Sequence, residues 1–194
     1  DAFPDAIRQP DKNGRLALHL ACSYPRVSMG LLTMLVSAFP AALKTFDKQG
    51  ALALHIAIRR KLPKELVLYL IDKAVGAART REASSRMFPL HLACQAGADE
   101  ELIEKLFEVY PKAIDEVDSN GNTFFHVACM QRRLTVELAE KLLHMSTFKT
   151  IRQTNEDEAL PLHIACQNRL PLEVLLLLSD CYPEALVYKD KRGN

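Results

Sequence analysis

Four His-x-x-Cys pairs stand in the chain: His19/Cys22, His91/Cys94, His126/Cys129 and His163/Cys166. At i, i+3 on a helix an imidazole and a thiolate share one face, a spacing open to zinc. The same two residue types serve as general base and nucleophile. Each chemistry makes a demand that the pattern fails. A metal ion needs about four converging ligands, whereas equivalent positions on packed helices lie roughly 10 Å apart. That distance also exceeds the ~7 Å that a disulfide allows between Cα atoms. Catalysis needs its histidine once, with an orienting third group, and no serine or cysteine with a carboxylate accompanies any copy in a distinctive pattern. A fifth copy has His55 but Ile58 in place of cysteine. No CxxC, HExxH, P-loop or GxGxxG occurs. The expectation is no enzyme activity, no cofactor and no metal, with His19, His55, His91, His126 and His163 as structural residues. The five cysteines, an odd number without a disulfide framework, read as buried, reduced thiols of an intracellular, cytoplasmic protein.

The elements that would position these histidines recur with them. Each sits in a near-copy of one heptapeptide: LALHLAC from Leu16, LALHIAI from Leu52, FPLHLAC from Phe88, TFFHVAC from Thr123 and LPLHIAC from Leu160. The histidines are 36, 36, 35 and 37 residues apart, a solenoid period. A second motif keeps step: Pro4, Ala6, Ile7, Asp11, Gly14; then Pro40 to Gly50, Pro111 to Gly121 and Pro183 to Gly193. Asp-x-x-Gly is turn chemistry, because Asp bonds the backbone ahead of it and Gly accepts positive φ. Pro89 and Pro161 suit the first helical position, which has no N–H to satisfy. A first helix of about 161–168 follows, then a polar or basic turn. A longer amphipathic helix comes next, seen over Glu101 to Val109 with Leu102, Ile103, Leu106 and Phe107 on one face. It ends at Tyr-Pro or Phe-Pro, because proline cannot continue it. The unit is turn, short helix, turn, long helix. Its apolar face is too large to hide alone and must be buried by stacking. The fold class expected is all-α, an α-solenoid of helix-turn-helix repeats with finger turns, forming one array over 1–194.

Asp118, Gly121, Thr123, His126 and Ala128 resemble the ankyrin repeat, D-x-x-G-x-T-P-L-H-x-A-A; so do Pro89, Leu90, His91 and Ala93, and Pro161, Leu162, His163 and Ala165. The resemblance covers essentially the whole chain. The unit of about 36 residues and its Tyr/Phe-Pro-x-Ala-Leu element are similar to a long-unit variant found in diatom ankyrin arrays. The resemblance implies that a threonine hydroxyl braces the histidine ring, and only Thr123 keeps it; Leu16, Leu52, Phe88 and Leu160 stand elsewhere. The finger motif fails before His91, where Ala83 and Arg86 stand, and before His163, where Asn155 and Glu158 stand. Irregular or longer fingers are expected at about 76–87 and 148–159.

The resemblance also implies a binding surface made of finger tips and the exposed side of the first helices. The tips map to Lys12, Asn13 and Arg15, Lys48 and Gln49, and Ser119, Asn120 and Asn122. The helix positions four and five after each histidine are Ser23 and Tyr24, Arg59 and Arg60, Gln95 and Ala96, Met130 and Gln131, and Gln167 and Asn168. The candidate partner-binding residues are Lys12, Arg15, Tyr24, Lys48, Arg59, Arg60, Gln95, Met130, Gln131 and Gln167, with Tyr24, Arg59 and Arg60 foremost because aromatics and arginine dominate interfaces.

The chain carries 25 Lys+Arg and 24 Asp+Glu, so it has no overall attraction for nucleic acid or membrane. Residues 1–97 have 14 cations and 7 acids; residues 98–194 have 11 and 17. No apolar run approaches the ~20 residues of a membrane span. A basic patch of Arg59, Arg60, Lys61 and Lys64 with Arg79, Arg81 and Arg86 is one reading; cations placed at helix C-termini are the other. The function expected is a non-catalytic protein-protein interaction scaffold, with no nucleic acid and no membrane insertion. The alternative is an ankyrin segment of a larger protein or assembly, because neither end reads as a polar cap and the chain opens and stops partway into a finger.

Overall fold

The structure is a computed structural model that describes residues 7–193. Pro4 and Ala6 of the first Pro-x-Ala motif lie outside the described residues. The fold is all-α, a solenoid of stacked helix pairs, in two compact units, residues 1–110 and 111–194.

In the first unit the heptapeptides form inner helices Ala17–Ser23, Ala53–Arg59 and Pro89–Ala96. The outer helices are Met29–Ala38, Lys64–Lys73 and Glu100–Val109. Successive inner helices pack on one another, and each outer helix backs its inner one. Small residues make this close approach possible: Ala53, Ala57 and Ala93 are wholly buried. The second unit repeats the plan with inner helices Phe124–Cys129 and Pro161–Gln167 and outer helices Val136–Met145 and Leu172–Cys181. Leu102, Ile103 and Leu106 are buried as the periodicity predicts, while Phe107 is only half-buried.

Both ends of the outer helices follow from local chemistry. Ser28 Oγ, Asp99 Oδ1 and Thr135 Oγ1 accept the N–H of Leu31, Leu102 and Leu138, satisfying one orphan donor each. Three outer helices stop at Phe39-Pro40, Tyr110-Pro111 and Tyr182-Pro183; the residue before proline is forced out of the helical region. The following 3₁₀ turn at Pro40–Lys44 buries Leu43 to 6% exposure, and Ile114 in Pro111–Asp115 is at 7%. Leu186, at the matching place in Pro183–Leu186, is 69% exposed, since no following inner helix lies over it among the described residues.

Three inner helices end in a left-handed residue. Gly97 has φ 64°, and Lys61 and Arg169 adopt φ 54° and 55° without being glycine. In each, paired backbone bonds close the end: Lys61 N to Ile58 O and Leu62 N to Ala57 O, Gly97 N to Cys94 O and Ala98 N to Ala93 O, Arg169 N to Cys166 O and Leu170 N to Ala165 O. The basic turns are therefore helix C-caps, in line with a dipole role for their charges.

The fingers correct the sequence expectation in part. Asn155 does the work of aspartate: its Oδ1 accepts from Asp157 N and Ala159 N, as Asp47 Oδ1 accepts from Gln49 N and Ala51 N. Glu158 takes the glycine place at φ 56°. Finger 155–159 is thus regular. The finger before His91 is longer by one residue, closing from Glu82 N to Met87 O instead of across four residues. The departures at 76–87 and 148–159 lie mainly upstream, where helical turns Val75–Ala78 and Phe148–Arg152 replace the 3₁₀ turn. Fingers also bond to the next finger: Lys48 N to Asn13 O, Ala83 N to Gly50 O, Glu156 N to Asn120 O and Lys191 N to Asp157 O. At Gly50, φ 73°, an added Cβ would lie 2.2 Å from the Ala83 Cβ, so the contact requires glycine.

Leu90 is buried to 1% exposure in the helix Pro89–Ala96, which packs on Ala53–Arg59 and Glu100–Val109, whereas Leu162 borders an open cleft of about 400 Å³. Leu90→Ala is expected to cost ~3–5 kcal/mol and Leu162→Ala ~2–3 kcal/mol, by urea denaturation. Equal stability of either variant and the parent would contradict the stacking.

Candidate functional site

The histidines are built into the backbone. His19, His55, His126 and His163 each sit three residues into an inner helix, and each Nδ1 accepts the N–H of the residue that opens the helix. The donors are Leu16, Leu52, Thr123 and Leu160, at 3.2, 3.0, 3.2 and 3.1 Å. An accepting Nδ1 leaves the proton on Nε2. Each Nε2 then donates to a carbonyl of the next finger region: Thr45 O, Thr80 O, Ala159 O and Tyr188 O, at 3.0, 2.9, 3.0 and 3.0 Å. Thr123 Oγ1 lies a further 2.9 Å from the His126 Nδ1. At Leu16, Leu52 and Leu160 the missing threonine therefore does not leave the ring unbraced, because the backbone N–H at the same position supplies the donor; the buried His91 Nδ1 receives no such bond from Phe88. His91 is also buried, with its ring stacked on Phe88 at 6.1 Å.

The bond from His126 reaches a different register. Thr45, Thr80 and Tyr188 lie two residues before the finger residue Asp47, Glu82 or Asp190. Gln153 holds that place in the fifth repeat, and its Oε1 is buried without a hydrogen bond. His126 instead donates to Ala159 O, which also accepts Asn155 N.

At His19, His55, His126 and His163 Nδ1 and Nε2 are both engaged by backbone, so these four rings have no lone pair free for a metal or a substrate proton. Burial pushes the His126 imidazole down to about 4, against an opposing effect of the Ala159 carbonyl. Burial likewise lowers His19 and His55. Among the described residues no three His, Cys, Asp or Glu converge as metal ligands. The cysteines need a correction: Cys22, Cys94 and Cys129 are buried, but Cys166 is exposed and Cys181 half-buried. Cys166 lines the same open cleft as Leu162, with no further helix over it among the described residues. Burial pushes the Cys22 and Cys94 thiols up to about 12, so they stay protonated.

The predicted binding residues divide into free and engaged groups. Lys12, Tyr24, Lys48, Arg60, Gln95, Met130 and Gln167 are exposed, Tyr24 to 66%. Arg15 is half-buried and its Nε and Nη2 donate to Asp11 Oδ2 at 3.0 and 2.8 Å. Arg59 pairs with Glu82, a carboxylate only 1% exposed. Burial pushes that carboxyl up, but Arg59 and the Ser85 hydroxyl hold it below the usual glutamate range. Gln131 is half-buried. Three further positions are structural: Ala96 is half-buried, Asn168 Nδ2 donates to Cys129 O and Ile164 O, and Asn122 is buried between fingers, accepting from Asn155 Nδ2. Tyr24 and Arg60 are the C-caps of adjacent inner helices in the first unit, so they take matching places.

The basic patch read from sequence is dispersed. Lys64 pairs with Glu101, Arg79 Nε donates to Val109 O, and Arg81 lies 4.8 Å over the Phe88 ring. Sequence reasoning missed Glu82. Its signal was a carboxylate one place upstream of the failed Asp position at Ala83.

A family model described as ankyrin repeats (3 copies) matches residues 84–188. No curated protein matches. Among solved structures, a chain in the complex of predatory endopeptidase Bd0816 with immunity protein Bd3460, from Bdellovibrio bacteriovorus, superposes with a TM-score of 0.74 at 15% identity. The match covers 90% of this chain and 84% of that one. At this identity the likeness concerns the fold.

Two outcomes follow from the buried rings and thiols. A histidine whose folded pKa lies below its unfolded value contributes stability that is whole above pH ~6.5 and lost as pH falls toward 4. Urea melts between pH 7 and pH 4.5 should show that loss, of order a few kcal/mol, with proton uptake on unfolding; pH-independent stability would contradict it. With iodoacetamide on the native protein, Cys166 should be labelled first, and Cys22, Cys94 and Cys129 only on unfolding. Equal labelling rates for all would contradict the burial.

Proposed function

The chain belongs to the ankyrin-repeat family, and we propose that it is a non-catalytic scaffold that binds a protein partner through its finger tips and the exposed side of its inner helices. Ankyrin repeats mediate protein-protein interaction. One observation carries the reading: positions that repeat along the chain are buried and used in the architecture, while positions that differ are exposed. The C-cap and last-turn places hold Tyr24, Arg59, Arg60 and Gln95 in the first unit and Met130 and Gln167 in the second, unlike side chains on like backbone within each unit. Such positions vary chemistry without disturbing the fold, which suits recognition of a protein. They lack the aromatic row that stacks on nucleic-acid bases.

One array over residues 1–194 is part of this proposal, supported by the unbroken period of the five heptapeptides. An intracellular location is also part of it, supported by five free cysteines. No described helix is long and apolar enough to cross a membrane.

The test uses a partner captured by the full chain and identified, then titrated against a variant carrying Tyr24→Ala, Gln95→Ala, Met130→Ala and Gln167→Ala. These exposed positions leave the arginine pairs intact. The expected loss of affinity is at least about tenfold. Unchanged affinity in a variant that melts like the parent would overturn the assignment.

A further inference from the structure

Between the first two fingers and the inner helices of the first unit lies a half-open cleft of about 100 Å³. Its floor is Ala51 and Ile56, both buried; its walls are Ser23, Gln49, Arg15, Arg59, Arg60 and Asp47. The charges around it are unequally engaged. Arg15 is held by Asp11 and Arg59 by Glu82. Asp47 has Oδ1 turned to its own finger, accepting Gln49 N and Ala51 N. Arg60 faces the same cleft and has no carboxylate against it among the described residues. The Gln49 amide and the remaining guanidinium N–H groups of Arg15 and Arg59 add donors around it.

Size and charge together select the occupant. Small-molecule sites run to ~300–1,000 Å³, so this cleft is too small for a nucleotide or a planar cofactor. It has room for one side chain of a larger partner. A planar guanidinium with free N–H groups matches a carboxylate in two-point fashion. We propose that this cleft takes a glutamate or aspartate side chain of a protein partner, with Arg60 as the principal ligand. The inference rests on the scaffold reading and adds the chemistry of the residue recognised there. Tyr24, exposed at the C-cap that follows the lining residue Ser23, offers an apolar contact to a residue flanking the acid. The lysines Lys12 and Lys48 at the finger tips favour approach of an acidic segment.

The experiment is a titration of the full ¹⁵N-labelled chain with three blocked pentapeptides that differ only at the central residue: glutamate, glutamine or phosphoserine. The glutamate peptide should give saturable shifts at Ser23, Gln49, Arg59 and Arg60 with a Kd of about 1 mM or tighter. Raising the salt from about 50 to 300 mM should weaken it several-fold, and glutamine should be at least about tenfold weaker. Arg60→Ala, an exposed change that leaves the Arg15–Asp11 and Arg59–Glu82 pairs in place, should weaken the glutamate peptide about tenfold, and Arg60→Lys less. Equal shifts with glutamine, no saturable shift, or a wild-type response in Arg60→Ala would overturn the inference. Binding of the phosphoserine peptide alone would also overturn it, in favour of a phosphorylated partner. All of these failures leave the scaffold reading in place, because that reading is judged on the Tyr24, Gln95, Met130 and Gln167 variant.

Discussion

A neutral imidazole bonded at both ends to backbone is the interaction on which this molecule depends. The inner helices of the second and fifth repeats open on Leu52 and Leu160, which have no side-chain acceptor for an orphan N–H. The histidine three residues on supplies it, and the same ring carries a proton across to the next finger region. One residue thereby caps its own helix and sets the register of the next finger. A buried polar group without partners costs about 1–3 kcal/mol, so the two bonds offset the burial of the ring at His19, His55, His126 and His163. At these four places the requirement ties tautomer and spacing together, which gives a physical reason for the heptapeptide to recur.

The fingers provide a second, independent register. An Asx side chain folds the turn onto itself, a left-handed residue closes it, and one backbone N–H reaches the finger before. The tolerance of this device is visible in its substitutions. Asn155 replaces aspartate without loss, because the amide oxygen accepts the same two N–H groups. Glu82 cannot, because its longer side chain starts one residue earlier; its carboxylate turns to Arg59 and Ser85 instead. The finger lengthens by that residue, and an exposed arginine that would otherwise be free for a partner is tied to a buried carboxylate.

Much of this was legible in the sequence, and the limits are physical. Period, helix pair, proline stops and the burial of the histidines follow from spacing and residue type. The brace on the rings did not, because the expected donor was a side-chain hydroxyl, and a backbone N–H leaves no mark in residue identity. Finger 155–159 looked irregular because Asn and Glu stand where Asp and Gly are usual, yet Asn accepts the same bonds and Glu158 can occupy the left-handed region at a cost. Among surface candidates the exposure of Tyr24, Arg60 and Met130 followed from their position after the histidine. The engagement of Arg59, Arg15, Asn122 and Asn168 did not, since each depends on a partner from another segment. Side chains that bind inward and outward share residue types, and only contacts separate them.

The most direct test of the central claim is the tautomeric state of the histidines, read by long-range ¹H–¹⁵N correlation of the imidazoles at pH 6. There a solvent-exposed histidine, with a pKa of about 6.5, is mostly protonated. The account predicts that His19, His55 and His126 remain neutral, with the proton on Nε2 and slow exchange with water. Imidazolium signals, or protons on Nδ1, at these three positions would contradict it.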